Sequence, residues 1–545
     1  MTREPALAFE ALARHDWATA YEQLQAAGDG ELDADGLDAL AEAAWWLSHI
    51  DACIDARGAA FYAYQSGGDE RRAGQCAVWL FEHHCFKAQP SIAATWLRRG
   101  RRALADHCDC VEYGNLLLRE AELLHSSGAL DQAAALALEV IELARRLRSE
   151  ELEALALQTA GRLAIDQGRP DEGLKQLDEA MLFAVDDRLS PYATGKVYCS
   201  LITACDELGD LSRAAEWTEA TVRWSQRHPQ AVFPGLCRVH HAQILGLRGS
   251  WMEAEAEAHR ACNELEKVNV GNAAAAWAEI GEIRRRIGDL DGAEEAFGRA
   301  EALCGRPHAG VALLRLAQGR LAAACTIIQG ALEDQPWNRL ARAKLLPARI
   351  QIEIAAGDLD AASAAVDELE AIAAPLPGSM LEASAATCRG RLALARADAD
   401  AACRYLRRAV DTWLALDVPY EVATARLLLG QSCRMAGDDE GAASSLSAAV
   451  RIFDELGAIS DARHTRAVGE QTPGDALPRG LTAREVQVLV LVAQGSTNKV
   501  IAAELGLSIK TIARHLENIF VKIGVSTRSG ATAFALANGL TRTNQ

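Results

Sequence analysis

The feature that most constrains this chain is a turn that returns about every 40 residues, a period long enough to mark stacked structural units. A helix-like stretch runs into Gly, Asp-Leu or a close variant follows, and a small residue stands five positions after the Gly. The pairs are Gly128 and Ala133, Gly168 and Gly173, Gly209 and Ala214, Gly249 and Ala254, and Gly288 and Ala293. Gly319 and Ala324, Gly357 and Ala362, Ala397 and Ala402, and Gly437 and Ala442 complete the set, with weaker echoes near His15, Asp51 and Ala88. Each copy reads as a helical hairpin. Gly adopts the left-handed conformation that ends one helix. The Asp or Ser beside it caps the next. The small residue sits where two helix backbones come close. Aromatic residues are 5% of the chain and Pro is scarce, which favours helix over sheet.

One copy carries Trp277, Ile280, Gly281, Gly288, Ala293, Phe297 and Ala300. At that spacing it resembles a tetratricopeptide repeat, although the period exceeds the 34 residues of that family. The resemblance implies an α-solenoid over residues 1–460. In such an array a repeat contacts only its neighbours, and the long faces left over bind a peptide, a protein or a small molecule.

The pattern stops after Gly457. Residues 461–478, with Gly469, Pro473, Gly474 and Pro478, read as a linker. Residues 479–545 then carry four short helices marked by their punctuation. Thr482 caps the first, with Glu485 completing a capping box, and Gly495 ends it. Thr497 and Gly506 bound the second, Ser508 and Gly524 the third, Ser526 and Gly539 the fourth. In the third, Ile512, Leu516, Ile519, Phe520 and Ile523 recur at helical spacing and face a core. Lys510, Ala513, Arg514, Glu517 and Asn518 occupy the other side. A short helix, a tight turn and a longer helix make the helix-turn-helix plan.

This tail resembles the LuxR-type helix-turn-helix domain through Leu481-Thr482, Arg484-Glu485, Leu489, Gly495, Thr497-Asn498-Lys499, Ile501-Ala502 and Leu505. Ser508, Lys510-Thr511-Ile512, His515, Asn518-Ile519, Lys522-Ile523-Gly524-Val525, Arg528, Ala531 and Gly539-Leu540 continue the match. The resemblance implies a homodimer on double-stranded DNA, with the third helix in the major groove and the fourth at the dimer contact. By position, Ala513, Arg514 and Glu517 would face base edges. Lys499, Lys510, Thr511, His515, Asn518, Lys522 and Arg528 would contact or position phosphates. Arg514 can donate to guanine and Glu517 can accept from cytosine. Two departures stand out: Val500 replaces the family's usual Glu, and Gly530 falls within the fourth helix, where Gly is unfavourable.

Charge divides the chain the same way. Lys and Arg number 56 against 75 Asp and Glu, a net charge of −19. From Leu481 onward, however, seven bases (Arg484, Lys499, Lys510, Arg514, Lys522, Arg528 and Arg542) meet three acids, Glu485, Glu504 and Glu517. A small basic module follows a large acidic body. No run is long and apolar enough for a membrane span. The N-terminus lacks an apolar signal core, so a cytoplasmic protein is expected. The 14 Cys are scattered singly, as at Cys205, Cys262, Cys325 and Cys403, and read as small buried thiols. His83-His84-Cys85 and His107-Cys108-Asp109-Cys110 lack the paired spacing of a metal site. No phosphate-binding G-x-x-x-x-G-K-[ST] occurs, since Gly195-Lys196 lacks both the upstream Gly and the following hydroxyl. No region shows the strand alternation that a receiver or autoinducer domain needs. The expectation is therefore an all-α DNA-binding transcriptional regulator, not an enzyme, without cofactor or metal. Its repeats sense an unidentified protein or small-molecule effector. The alternative is a repeat-based scaffold or adaptor with incidental DNA binding.

Overall fold

The computed structural model describes residues 3–27, 32–228, 236–305, 308–334, 337–470, 479, 481, 483–505, 507–538 and 540. Among them the helices pair off into twelve successive hairpins between Arg3 and Leu456, and the helix Ile459–Glu470 closes the array. Typical hairpins are Pro191–Leu208 with Leu211–Arg227, and Val270–Ile287 with Leu290–Cys304.

The punctuation works as its chemistry requires. Gly209 (φ 73°), Gly288 (φ 101°) and Gly357 (φ 80°) turn left-handed, and so does Ala397 (φ 60°) where the Gly is missing. The three weaker echoes are also turns, with positive φ at His15, Ser48 and Ala88. Lacking Gly, they are harder to read because a side chain there is strained. Asp210, Asp289, Asp358, Asp398 and Asp438 each accept the backbone N–H three residues on, capping the second helix of their hairpin. The small residue after each turn is buried, from Ala133 to Ala442. At Gly173 the reason is visible: a Cβ there would lie 2.4 Å from the Gly161 carbonyl oxygen of the partner helix.

One expectation is corrected. The repeats do not contact only their neighbours. The array winds so tightly that its turns meet helices one superhelical turn later. A Cβ on Gly128 would strike Trp337, and one on Gly249 would strike Leu456 and Pro419. The Met380 N–H donates to the Gly209 carbonyl at 2.9 Å. Lys344 pairs with Asp206 at 2.5 Å and Arg248 with Asp417 at 3.3 Å. Trp251, Ile283, Ala423 and Phe453 share one apolar cluster. At Gly209 the absent side chain lets backbone approach backbone.

A second difference lies at the end of the array. Residues 461–470, read as linker, are helical, and Ala462, Thr465 and Val468 are buried on the inner face. The remainder of that segment, 471–478, lies outside the described residues. No helix among the described residues is long and apolar enough to cross a membrane.

Candidate nucleic-acid interface

The C-terminal domain closes its own core. Its helices are Ala483–Ala493, Asn498–Leu505, Ile509–Ile523 and Arg528–Ala537. Leu481, Val488, Leu489, Val492, Ile501, Ala502, Ile512, Leu516, Ile519, Ile523, Ala531 and Ala535 are buried together. Phe520, expected in that core, packs at its edge.

The third helix begins at Ser508, whose hydroxyl accepts the Thr511 N–H at 3.0 Å. Gly524 ends it at φ 73°. Thr497 accepts the Val500 N–H at 3.4 Å, so the second helix keeps an N-cap although Val500 removes the capping box. Thr482, Gly506 and Gly539 lie outside the described residues. The fourth helix is capped by Thr527 rather than Ser526, through the Gly530 N–H at 3.1 Å. Gly530 therefore stands in the first turn. A Cβ there would lie 3.1 Å from Thr527 Oγ1 and from Val525 Cβ, so the close turn favours Gly at this position.

The expected contact residues separate into two groups. Lys510, Arg514, Glu517 and Asn518 are exposed along one side of the third helix, with Ala513 half-buried among them, and Lys499 is exposed on the second helix. Thr511 is half-buried, and its hydroxyl shares a hydrogen bond with Ser508 at 2.7 Å.

Three other residues are engaged inside the protein. Lys522 Nζ lies 2.8 Å from Glu485 Oε2, and the Glu485 side chain is only 6% exposed. Arg528 donates to Asn498 Oδ1 at 2.8 Å and to the Ser496 carbonyl, pinning the fourth helix to the turn between the first two. His515 is buried, and loss of hydration holds its pKa below the usual histidine range. All three are held by contacts or burial within the protein.

Two features escaped the sequence reading. Arg484 donates to the Leu505 carbonyl at 2.7 Å and so ties the first helix to the end of the second. Arg514 reaches outside its domain. Its Nη2 lies 3.0 Å from Asp360 Oδ2, and its Nη1 lies 4.0 Å from Asp358 Oδ1, both in the repeat array. No sequence signal pairs residues that far apart.

Elsewhere, His83 is buried beside Cys53 Sγ and stacks on Trp45 and Trp79. Burial pushes its pKa down to about 3. Among the described residues no three His, Cys, Asp or Glu side chains converge as metal ligands.

Comparison with known proteins agrees with this geometry. Residues 479–535 match the model of the bacterial regulatory proteins, luxR family. The transcriptional regulatory protein LiaR of Bacillus subtilis is 46% identical over 67 residues, 12% of this chain and 32% of LiaR. The probable transcriptional regulatory protein SgaR of Hyphomicrobium methylovorum is 49% identical over 53 residues, 10% of this chain and 25% of SgaR. The chain thus spans a third or less of the length of these relatives. Among solved structures, Cut9–Hcn1 of the APC/C aligns over 85% of this chain and 96% of that one (TM-score 0.36, 13% identity). Human IFIT1 bound to m7Gppp-AAAA aligns over 70% and 90% (TM-score 0.38, 15% identity). Residues 479–535 therefore form a domain that matches the luxR family, and they follow an array of helical hairpins.

Proposed function

We propose that the chain is a DNA-binding transcriptional regulator, a homodimer on double-stranded DNA whose repeat array takes a protein or small-molecule effector. One observation carries the reading. The third helix buries Ile512, Leu516, Ile519 and Ile523 while exposing Lys510, Arg514, Glu517 and Asn518 on its other side. A helix supported by its own core, with short polar and basic groups outward, fits a major groove.

Ala513, Arg514 and Glu517 read base edges, while Lys499, Lys510 and Asn518 hold phosphates. Thr511 fixes the start of the reading helix through its Ser508 bond. His515, Lys522 and Arg528 hold the helix in place. The dimer contact falls on the fourth helix, where Leu536 is 60% exposed beside exposed Ala533 and Ala537. Contacts to phosphate position the protein, and contacts to bases specify the site.

The test is a randomised-site selection with residues 479–545, whose closed core supports separate folding. A single enriched motif with two related half-sites is expected. Arg514→Ala and Glu517→Ala should each relax one position of it, by about 1–3 kcal/mol of discrimination. Recovery of no motif would overturn the regulator reading in favour of an adaptor.

A further inference from the structure

The base-reading side of the third helix is engaged at Arg514. The Arg514 guanidinium, placed to donate to a base edge, instead faces the carboxylates of Asp360 and Asp358. One residue on, the His515 ring lies against the array so closely that a Cβ on Gly357 would sit 2.9 Å from His515 Cε1. Gly357 to Asp360 is the turn and helix start of one hairpin, Arg339–Ala356 with Leu359–Ala373.

That turn is a particular place in the fold. Four earlier turns are covered by the start of a helix one superhelical turn later, whereas nothing lies within 4 Å of a Cβ on Gly319. The residues that cover them are Arg339 at Gly168, Met380 at Gly209, Pro419 at Gly249 and Ser460 at Gly288. The described helices of the array end at Glu470, and none of them covers the turn at Gly357. The third helix of the C-terminal domain takes that place. Its Arg514 and His515, near the middle of the helix Ile509–Ile523, lie on the turn.

We infer that the acidic turn Gly357–Asp360 is a docking surface for the chain's own reading helix, and that docking and DNA binding exclude each other. The inference rests on the DNA-binding reading above. The carboxylates of Asp358 and Asp360 stand in for acceptors on DNA, and the Arg514 guanidinium serves one or the other. With the Gly357 backbone against His515, no duplex fits between the helix and the turn. The contact suits an equilibrium rather than a lock. Arg514 is 50% exposed and Asp360 81% exposed, and such pairs are individually weak. Covalent attachment makes docking intramolecular and so raises its effective concentration. Anything that reshapes the array at this turn changes how much reading helix is free.

The experiment measures affinity for the selected DNA with four proteins: residues 479–545, the full chain, and two full-chain variants. Asp358→Asn with Asp360→Lys keeps a side-chain cap at 358 and removes the docking charge. Asp398→Asn with Asp400→Lys makes the same change at the next turn, which holds no reading helix. The isolated domain should bind at least tenfold more tightly than the full chain. The 358/360 variant should recover at least threefold of that loss, and the 398/400 variant should recover none. Hydrogen exchange supplies a readout independent of DNA: amides from Ile509 to His515 should exchange faster in the 358/360 variant than in the full chain. Equal affinity of domain and full chain, equal rescue by both variants, or unchanged exchange would overturn docking. If the isolated domain selects no DNA, the regulator reading fails instead, and the exchange result still judges the contact. Asp360→Lys alone, at a surface position, repeats the test should the double variant fold poorly.

Discussion

Glu279 illustrates how a single side chain sets a property of the whole array. It lies on the helix Val270–Ile287, largely buried, and makes no ion pair among the described residues. Loss of hydration pushes its pKa from 4.5 up to about 8, with Arg286 opposing the shift and Glu282 adding to it. The unfolded chain ionises this group near 4.5, whereas the folded chain keeps it protonated to about pH 8. Folding therefore binds a proton across that window, and stability falls as pH rises through it. Glu279→Gln should leave stability unchanged at pH 4 and raise it progressively above pH 5, by at most about 1.4 kcal/mol per pH unit up to 8. Thermal melts at several pH values test this, and a parallel pH profile for the two proteins would refute it. The same scale explains what the sequence withheld about the DNA face. Lys510 and Lys522 look alike in a helix of this pattern. Only the fold brings Glu485 to 2.8 Å from Lys522. Lys522→Ala should thus remove the ammonium partner of the buried Glu485 carboxylate and lower the stability of residues 479–545, by about 1 kcal/mol given the half-exposed partner. The number of phosphates neutralised should stay the same. The slope of log affinity against log salt measures it, and a flatter slope would restore Lys522 to the phosphate contacts.

At the scale of elements, turns and caps were the most legible part of the chain, because they depend on residues a few positions apart. Gly, then Asp, then a small residue fixes a left-handed turn, an N-cap and a close helix crossing, and nearly every such turn behaves so. The exceptions are physical. Ser250 stands at an N-cap position but makes no side-chain cap. The helix Ile459–Glu470 was missed because Arg463, His464, Arg466 and Gly469 give it a polar, breakable look. Its signal was the sparse stripe of Ala462, Thr465 and Val468. The crossing of Glu150–Asp166 and Pro170–Val185 offers a test of the small-residue rule. Gly161 and Gly173 face each other there, and a Cβ on Gly173 would meet the Gly161 carbonyl at 2.4 Å and Ile165 Cγ1 at 2.6 Å. Elsewhere in helices Gly→Ala stabilises by up to about 1 kcal/mol. Here Gly173→Ala should destabilise by about 1–3 kcal/mol, since overpacking forces two backbones apart. A rise in melting temperature would show that the crossing has room to give.

At the scale of the molecule, the sequence disclosed a period but not how tightly the array winds. Winding is set by small rotations repeated at each hairpin, and no local pattern encodes their sum. The result is that Asp206 meets Lys344, Gly209 meets Met380, and Trp251 packs in one cluster with Ala423 and Phe453. In a one-dimensional array, stability is a sum over neighbouring repeats, and damage stays local. Here damage should travel. Gly209 has φ 73°, and a Cβ there would lie 3.0 Å from the backbone nitrogens of Met380 and Leu381. Gly209→Val places a branched side chain in a left-handed turn and against that backbone at once. It should accelerate hydrogen exchange in Pro191–Arg227, and equally in Met380–Ala395, where the sequence is remote but the packing is direct. Gly437→Val is the matched control. Its φ is 80° and nothing lies within 4 Å of the added Cβ. It imposes the same backbone strain without the cross-turn contact, so its effect should stay within its own hairpin and the helices beside it. Identical, local exchange patterns for the two variants would mean that the superhelical turns merely touch. A remote effect from Gly209→Val alone would mean that they fold as one body, so that a ligand bound on one turn can be felt at the turn that holds Arg514.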